Sequence, residues 1–412
     1  MIPYKRFVLP NGLRILIHED TNTPMAVVNV LYDVGAKDES PDKTGFAHLF
    51  EHLMFGGSIN IPQYDAPLQI AGGENNAYTT NDLTNYYCQL PAENIETALW
   101  LESDRMLSLA FNEKSLDVQR KVVCEEFKEH YINKPYGDIW AKMRDLTYTT
   151  HPYKWMTIGK ELSHVENATL TDVKDFFTKH YSPSNAILVI AGNIKTDYAL
   201  SLAEKWFGPI DSGIKYNRNL PQEPKQIKAK LLEVKADVPL DALVKVWHID
   251  SRLEKGYYVA DLISDILGGG GSSRLFQKLI KEKQIFSSFD CFHFGSVDNG
   301  LIAMEGKLVK GKTFEEAEIA INEELDLIKN NLVQEHELQK VKNKTESVIA
   351  FEDMALISRA NSLAFYELLG NADLMDEELS KYQEVTIKDI QEYSNKIFDI
   401  NNSNTLRYYS NN

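Results

Sequence analysis

The feature that most constrains the fold is an irregular segment near the middle of the chain, GPIDSGIKYNRNLPQEPKQIK at residues 208–228. It carries three prolines, two glycines and several charges but no hydrophobic periodicity, which is typical of a linker. The chain has 412 residues, more than one ordinary hydrophobic core organises. We therefore expect two domains, 1–210 and 229–412, joined by a linker at 211–228.

Strand-like and helix-like patterns alternate before this segment and begin again after it. In the second half, ALVKVWHID (242–250) is typical of a buried strand, and YYVADLISDILGG (257–269) and FEEAEIAINEELDLIKNNL (314–332) have helical spacing. Two halves of similar size and similar pattern suggest an internal duplication. The predicted fold class is α+β.

Composition excludes several kinds of protein. A hydrophobic content of 43% and a charged content of 25% indicate a globular chain. No apolar run is long enough for a membrane span. The net charge of −16 argues against nucleic acid as a partner, because binding phosphates requires a basic surface.

The N-terminus and the cysteines bear on location. MIPYKRFVLPNGLRILI alternates in polarity and has a turn at Asn11-Gly12, so it predicts a strand rather than a cleavable signal. Cys88, Cys124 and Cys291 are scattered and form no C-x-x-C motif, which favours a reducing compartment. We expect the cytoplasm, or the periplasm if an export signal has been removed.

The stretch GFAHLFEHLMF, residues 45–55, places three ionisable residues in an apolar helical pattern. His48 and His52 are four residues apart, so both imidazoles lie on one helix face, with Glu51 beside them. Two such imidazoles suit a divalent metal, zinc above all. The alternative is a pair of core histidines satisfied by hydrogen bonds, but burying three ionisable groups without partners is costly. H-x-x-E-H is also the inverted zincin motif.

A catalytic zinc site requires a third protein ligand, and a second helical segment offers candidates. SLDVQRKVVCEEFKEHY, residues 115–131, has helical spacing and contains Glu125 and Glu126. Periodicity favours Glu126 only weakly over Glu125. Either glutamate could equally be a solvated surface group.

These motifs together resemble the M16 metallopeptidases, the group of pitrilysin, insulysin and the mitochondrial processing peptidase. The resemblance rests on H-x-x-E-H, on V-V-x-x-E in the later helix, and on blocks in the family's order: FVLPNGLRILI (7–17), YDVGAKDES (32–40), GGENNAYTTNDLTNYY (72–87), TIGK (157–160), YSPSNAILVIAGNI (181–194) and GGGGSSRLFQKL (268–279).

The resemblance implies a fold and a set of roles. Each half would be a largely antiparallel sheet with helices on one face, and the second half lacks the zinc motif. His48, His52 and Glu126 would bind one zinc ion per chain. Glu51 would act as the general base that takes a proton from zinc-activated water. Peptides or unfolded segments would be the substrates of this endopeptidase.

The resemblance also points to residues around the metal. Asn76, Ala77 and Tyr78 would hold an extended substrate as an added strand, although an ordinary sheet strand is an equal alternative. Gln119 stands where relatives often carry a second glutamate near the zinc. Glutamine can still hydrogen-bond a ligand.

One block departs from the family pattern. Single-chain and homodimeric relatives keep an arginine and, seven residues later, a tyrosine in the C-terminal half, but here Ile280 and Ser287 occupy these positions. We therefore expect a heterodimer in which a homologous M16-like subunit supplies Arg and Tyr, with a homodimer as another arrangement. The alternative function is a non-catalytic scaffold or interaction subunit.

The glycine-rich stretch GGGGSSRLF, residues 268–276, is not expected to bind a nucleotide. It lacks the lysine followed by Ser or Thr that a phosphate-binding loop has after its glycines, and a helix rather than a strand precedes it. A turn between two helices is the simpler interpretation.

Overall fold

A computed structural model describes residues 2–411 of the chain. The chain forms two compact units, each assembled from three segments. Unit 1 consists of Met1–His130, Trp155–Pro221 and Ala350–Glu377, and unit 2 of Tyr131–Lys154, Gln222–Ile349 and Glu378–Asn412.

Strands and helices are distributed over both units. The strands are β1 (Lys5–Val8), β2 (Arg14–Glu19), β3 (Met25–Tyr32), β4 (Glu74–Thr79), β5 (Thr84–Pro91), β6 (Ala186–Gly192), β7 (Lys230–Ala236), β8 (Ala242–His248), β9 (Phe286–Phe294), β10 (Leu301–Leu308) and β11 (Ser403–Ser410). The α-helices are α1 (Phe46–Leu53), α2 (Asp65–Ile70), α3 (Ile95–Leu107), α4 (Glu113–Phe127), α5 (Ile139–Thr147), α6 (Leu162–Glu166), α7 (Leu170–His180), α8 (Thr196–Phe207), α9 (Lys255–Gly268), α10 (Phe314–Asn330), α11 (Glu335–Glu352), α12 (Leu356–Leu368), α13 (Leu374–Gln383) and α14 (Ile387–Ile397).

The sheet of unit 1 has six strands in the order β1-β2-β6-β3-β5-β4. All neighbouring strands are antiparallel except the parallel pair β2 and β6. Strand β6, with the sequence AILVIAG, is buried over its whole length, and such continuous burial requires cover on both faces. Strand β4 pairs only with β5 among the described strands, so it forms an edge of the sheet.

Helix α12 covers one face of this sheet. Its residues Leu356 and Leu363 lie in one apolar cluster with Val27 and Leu31 of β3. Val28 alternates with these β3 residues, points to the opposite face and is also fully buried. The central strands are therefore covered on both faces. The cover on one face is α12, a helix from the C-terminal part of the sequence.

The sheet of unit 2 has five strands in the order β7-β11-β8-β10-β9, and only β7 and β11 are parallel. Leu243 and Trp247 of β8 belong to a cluster with Ile263 of α9. Val244 and Val246 point to the other face, where Met143 of α5 packs. A helix from the N-terminal half of the sequence thus completes the second face of this sheet.

The predicted α+β class with two sheet-plus-helix halves is confirmed. Two segments are exchanged between the halves of the sequence. Residues 131–154, from the first half, belong to unit 2, and residues 350–377, from the second half, belong to unit 1. The reason is that α5 and α12 each bury an apolar side on the second face of a sheet. Residues 208–229, which contain the predicted linker, form no helix or strand.

Among the described residues, no helix combines the length and the apolar character that crossing a bilayer requires.

Candidate metal centre

Helix α1 carries the H-x-x-E-H motif in unit 1. Its eight residues have one apolar side, which is buried and consists of Phe46, Ala47, Leu49, Phe50 and Leu53. His48, Glu51 and His52 lie on the remaining side and are half-buried. The spacing predicted from the sequence therefore places all three polar side chains on the side of α1 that is not packed into the core.

Helix α4 packs against α1 and brings Glu126 to the two histidines. The Glu126 carboxylate oxygens lie 3.8 Å from His48 Nε2 and 3.5 Å from His52 Nε2. One ligand atom from each of the three residues lies within 4.8 Å of the other two. Donors bound tetrahedrally to one zinc ion at 2.0–2.2 Å are roughly 3.5 Å apart, a spacing that the two histidine–Glu126 distances approach, and two imidazoles with a carboxylate are a donor set that zinc binds.

Glu125, the neighbouring candidate, stands in a different environment. Its side chain is 73% exposed and pairs with Lys128 at 2.7 Å, whereas the Glu126 side chain is 34% exposed. The helix turns Glu125 away from α1. Geometry thus places one of the two glutamates, Glu126, in the cluster.

Burial also bears on the protonation of His48. Its pKa is lowered mainly because the ring is removed from water, with the His52 ring adding to the effect and the Glu126 carboxylate opposing it. A lowered pKa favours the neutral imidazole, the form that binds metals.

Glu51 does not contribute to the three-residue cluster but lies next to it on α1. Its Oε2 accepts a hydrogen bond of 2.7 Å from Thr79 Oγ1, at the end of the edge strand β4. This bond fixes the carboxylate between the two histidines of the motif and the edge of the sheet. A carboxylate held beside a metal site in this way can act as a base.

The predicted substrate residues Asn76, Ala77 and Tyr78 lie on β4. Asn76 and Tyr78 pair with Tyr87 and Asn85 of β5, on the sheet face that α12 covers. Ala77 alternates with them and shares its face with Thr79 and helix α1. The side chains of the three residues therefore divide between two faces, and what they share is the backbone of an edge strand.

Gln119 lies on α4 two helical turns before Glu126, on the same side of the helix. Its side chain is half-buried and makes no hydrogen bond within the described part of the chain.

Ile280 and Ser287, the positions that depart from the family pattern, lie in unit 2. Ile280 packs against the apolar core of that unit. Ser287 is exposed on the edge strand β9, and its hydroxyl donates to the carbonyl of Lys307 at 3.1 Å. Neither side chain can provide the charge of an arginine or the phenol of a tyrosine.

Two residues that contact the site are not singled out by the sequence patterns. Thr79 holds Glu51, and Glu39 accepts hydrogen bonds from the first turn of α1. Both lie in blocks that resemble the family, YDVGAKDES and GGENNAYTTNDLTNYY, and this resemblance is the sequence signal that points to them.

Comparisons with known proteins agree with this architecture. Residues 14–144 match the family model described as Insulinase (Peptidase family M16), and residues 167–345 match the model described as Peptidase M16 inactive domain. Together the two models cover most of the chain.

Individual relatives extend this similarity. The chain is 27% identical to the zinc protease PqqE of Helicobacter pylori over 414 residues, which cover 98% of this chain and 92% of the relative. It is 31% identical to the mitochondrial-processing peptidase subunit beta of Saccharomyces cerevisiae over 205 residues, 49% of this chain and 44% of that protein.

A solved structure matches over the whole chain. The crystal structure of a protease from Helicobacter pylori superposes with a TM-score of 0.92 and 25% sequence identity, covering 99% of this chain and 100% of that one. Both sequence models, full-length relatives and the fold point to the same group. The chain belongs to the M16 family of peptidases.

Proposed function

We propose that this chain is a zinc-dependent endopeptidase subunit that hydrolyses peptides or unfolded segments of proteins. The observation that carries the proposal is the convergence of His48, His52 and Glu126, whose donor atoms lie within 4.8 Å of one another. The zinc protease named among the relatives supports it.

The residues of the site divide the work of peptide hydrolysis. His48, His52 and Glu126 would hold the zinc ion, which when bound polarises the scissile carbonyl and makes water more acidic. Glu51 accepts the proton of the attacking water and returns it to the leaving amine. Thr79, 2.7 Å from Glu51, keeps that carboxylate in place during both transfers.

The edge strand β4 would bind the substrate. An extended peptide can add to a sheet edge through main-chain hydrogen bonds, and the β4 edge ends at Thr79, next to the proposed base. In this proposal the backbone of Asn76, Ala77 and Tyr78 aligns the peptide. The small Ala77 side chain leaves room on the metal side of the strand.

A partner subunit would complete the site. Ile280 and Ser287 stand where single-chain and homodimeric relatives carry an arginine and a tyrosine, and the yeast relative is by its name a subunit. We propose a homologous partner that supplies both side chains. If the purified chain alone cleaves peptides at full rate and a homologous subunit adds nothing, this part of the proposal is wrong.

Ile280 and Ser287 also favour a second candidate function, that of a non-catalytic scaffold subunit. Both candidates allow zinc binding, so hydrolysis must separate them. The wild-type chain and Glu51→Gln, each assembled with a homologous subunit, are compared for metal content and for cleavage of unstructured peptides.

The endopeptidase predicts about one zinc per chain in both proteins, with cleavage only by the wild type. Wild-type protein without zinc, or assembled protein without any cleavage, would instead favour the scaffold.

A further inference from the structure

The N-terminus of α1, the helix that carries His48 and His52, has an unusual cap. The first N–H groups of an α-helix have no partner inside the helix, and the residue before it usually offers a side-chain oxygen. Here that residue is Gly45, which has no side chain. Its φ of +89° and a Cβ position only 2.5 Å from the Ile158 carbonyl oxygen exclude a larger residue. Helix α1 therefore cannot be capped from its own N-cap position.

Glu39 provides the missing acceptor from six residues upstream. Its Oε2 accepts the N–H of Gly45 and its Oε1 accepts the N–H of Ala47, both at 2.8 Å. The residue is 6% exposed. Burial raises the pKa of the Glu39 carboxyl to about 8, against the effect of the two backbone donors. The carboxylate offers both oxygens as acceptors, and the protonated carboxyl still offers its carbonyl oxygen.

The cap bears on the metal site because of where His48 lies. His48 is the third residue of α1 and directly follows Ala47, whose N–H Glu39 holds. Histidines that bind metals are usually oriented through their second ring nitrogen. In the described part of the chain, His48 Nδ1 is buried and has no hydrogen-bond partner. No hydrogen bond to Nδ1 orients the ring, so its position depends more strongly on the backbone of the first helical turn.

Glu39 is itself held in place by its neighbours. It follows a short turn, Ala36–Asp38, in which the Asp38 carboxylate accepts the N–H of Gly35 at 3.0 Å. The same carboxylate pairs with Arg218 through contacts of 2.7 Å and 2.9 Å. Glu39, which caps α1, thus follows a turn that the contacts of Asp38 hold in place.

We propose that Glu39 is a positioning residue for the metal site: by capping the first turn of α1 it fixes His48 relative to His52 and Glu126. This inference rests on the proposed zinc function. It assigns to Glu39 no contact with metal or substrate.

The test compares Glu39→Ala and Glu39→Gln with the wild-type chain. Glu223→Ala is a matched control, because Glu223 also accepts backbone N–H groups, those of Thr149, Thr150 and His151, but belongs to unit 2. Three quantities are measured: zinc affinity by chelator competition, the visible spectrum of the cobalt(II)-substituted protein, and amide hydrogen exchange of residues 40–52 without metal.

Loss of the cap should weaken zinc binding about 10- to 100-fold in Glu39→Ala, the range known for residues that orient metal ligands. The cobalt spectrum should change and exchange at residues 45–48 should accelerate. Glu39→Gln keeps one acceptor and should be intermediate, and it decides the test if Glu39→Ala does not fold. Glu223→Ala should match the wild type in all three measurements.

Unchanged zinc affinity in Glu39→Ala, or an equal loss in Glu223→Ala, would overturn the proposal. Wild-type protein that binds no zinc would overturn the proposed function instead. The exchange rates, measured without metal, would then still show whether Glu39 caps the helix.

Discussion

Glu125 and Glu126 show how one position along a helix separates a surface charge from a candidate ligand. Their backbones are adjacent, but a rotation of about 100° per residue points Glu126 at α1 and Glu125 at solvent. Glu126 lies within 3.8 Å of both histidines, and Glu125 pairs with Lys128. The pair therefore provides an internal comparison for the role of the carboxylate.

We expect Glu126→Gln to weaken zinc binding by at least about 100-fold, because a direct ligand contributes no less than residues that only orient ligands. Glu125→Gln makes the same chemical change one residue earlier and should leave zinc affinity unchanged. Chelator competition at fixed pH measures both variants. Equal affinities of the two variants would contradict the assignment of Glu126 as a ligand.

Thr79 is expected to matter for hydrolysis and not for metal binding. Thr79→Val removes the hydroxyl that donates to Glu51 and keeps the shape of the side chain. Because a misplaced catalytic group costs up to about 100-fold in rate, we expect kcat to fall about 10- to 100-fold at unchanged zinc content. Thr79→Ser retains the hydroxyl and should recover most of the activity; a Ser variant as slow as Val would argue against this bond.

At the residue scale, the sequence predicts the cluster only in part. The i, i+4 spacing places His48 and His52 together because helix geometry is local. The choice between Glu125 and Glu126 depends on packing between α1 and α4, which periodicity within one helix does not contain. Glu39 is harder still, because an acidic residue in a polar turn has the pattern of a solvated group although it is 6% exposed.

At the scale of elements, the turn into α1 is closely packed against a later segment of the chain. Gly45 adopts a left-handed conformation and lies directly against the backbone of Ile158, so the start of the helix tolerates no side chain. Glycine avoids both the strain of positive φ and the contact. The predicted helix over this motif is present, but its starting geometry depends on a segment more than a hundred residues later in the sequence.

Gly45→Ala should therefore destabilise the protein by about 3 kcal/mol, combining backbone strain with a steric clash. Gly370→Ala is the control: its φ is +116°, but a Cβ there would meet nothing within 4 Å, so only the strain remains. Urea unfolding should show the larger shift for Gly45→Ala. Equal shifts would mean that the contact with Ile158 is relaxed at little cost.

The turn after α5 gives a pH-dependent prediction. Burial acts to raise the pKa of Glu223, but the N–H groups of His151, Thr150 and Thr149 and the Thr149 hydroxyl lower it to about 2. Because the pKa is lowered in the folded state, the ionised carboxylate stabilises the protein at pH values above 4.5, the ordinary pKa of the group. This stabilisation is lost as the pH falls toward 2.

Glu223→Gln should lower the free energy of unfolding by about 1 kcal/mol at pH 7, a value reduced for the partial exposure of the carboxylate. The difference from the wild type should shrink at pH 3.5, where the Glu223 carboxyl of the unfolded wild-type chain, with its ordinary pKa of 4.5, is mostly protonated. Urea unfolding at both pH values measures it. A difference that grows toward low pH would contradict the assigned sign.

At the scale of the whole molecule, each sheet is completed by a helix from a distant part of the sequence. Leu356 and Leu363 of α12 cover β3 in unit 1, and Met143 of α5 packs on β8 in unit 2. The apolar patterns of α5 and α12 indicate helices, but nothing in a local pattern tells which sheet a helix will cover. This is why the sequence predicts the α+β class and two halves but not the exchange of these two segments.

A fragment of residues 1–221 should accordingly fail to fold alone. Without α12, the sheet of unit 1 exposes Val27, Leu31 and Val189. Each large buried apolar side chain contributes about 1.5–3 kcal/mol, so exposing these three costs an amount comparable with the whole stability of a domain. Adding a peptide of residues 350–377 should restore a folded structure that unfolds cooperatively. Circular dichroism measures this unfolding transition.

The same peptide carrying Leu363→Asp is the control and should not restore folding, because Leu363 is fully buried in the cluster on the sheet. A fragment that unfolds cooperatively without any peptide would contradict the structural role of α12.

The cytoplasmic location stays a prediction at this scale.

The placement of α12 also has a consequence for biosynthesis. Ribosomes release a protein from its N-terminus onward, and early domains commonly fold before later ones are made. Here most of unit 1 emerges first, yet its covering helix α12 begins at Leu356, more than a hundred residues after the preceding segment of that unit ends at Pro221. A nascent chain would therefore wait with an uncovered apolar sheet until α12 has been synthesised, which makes it a natural client for chaperones.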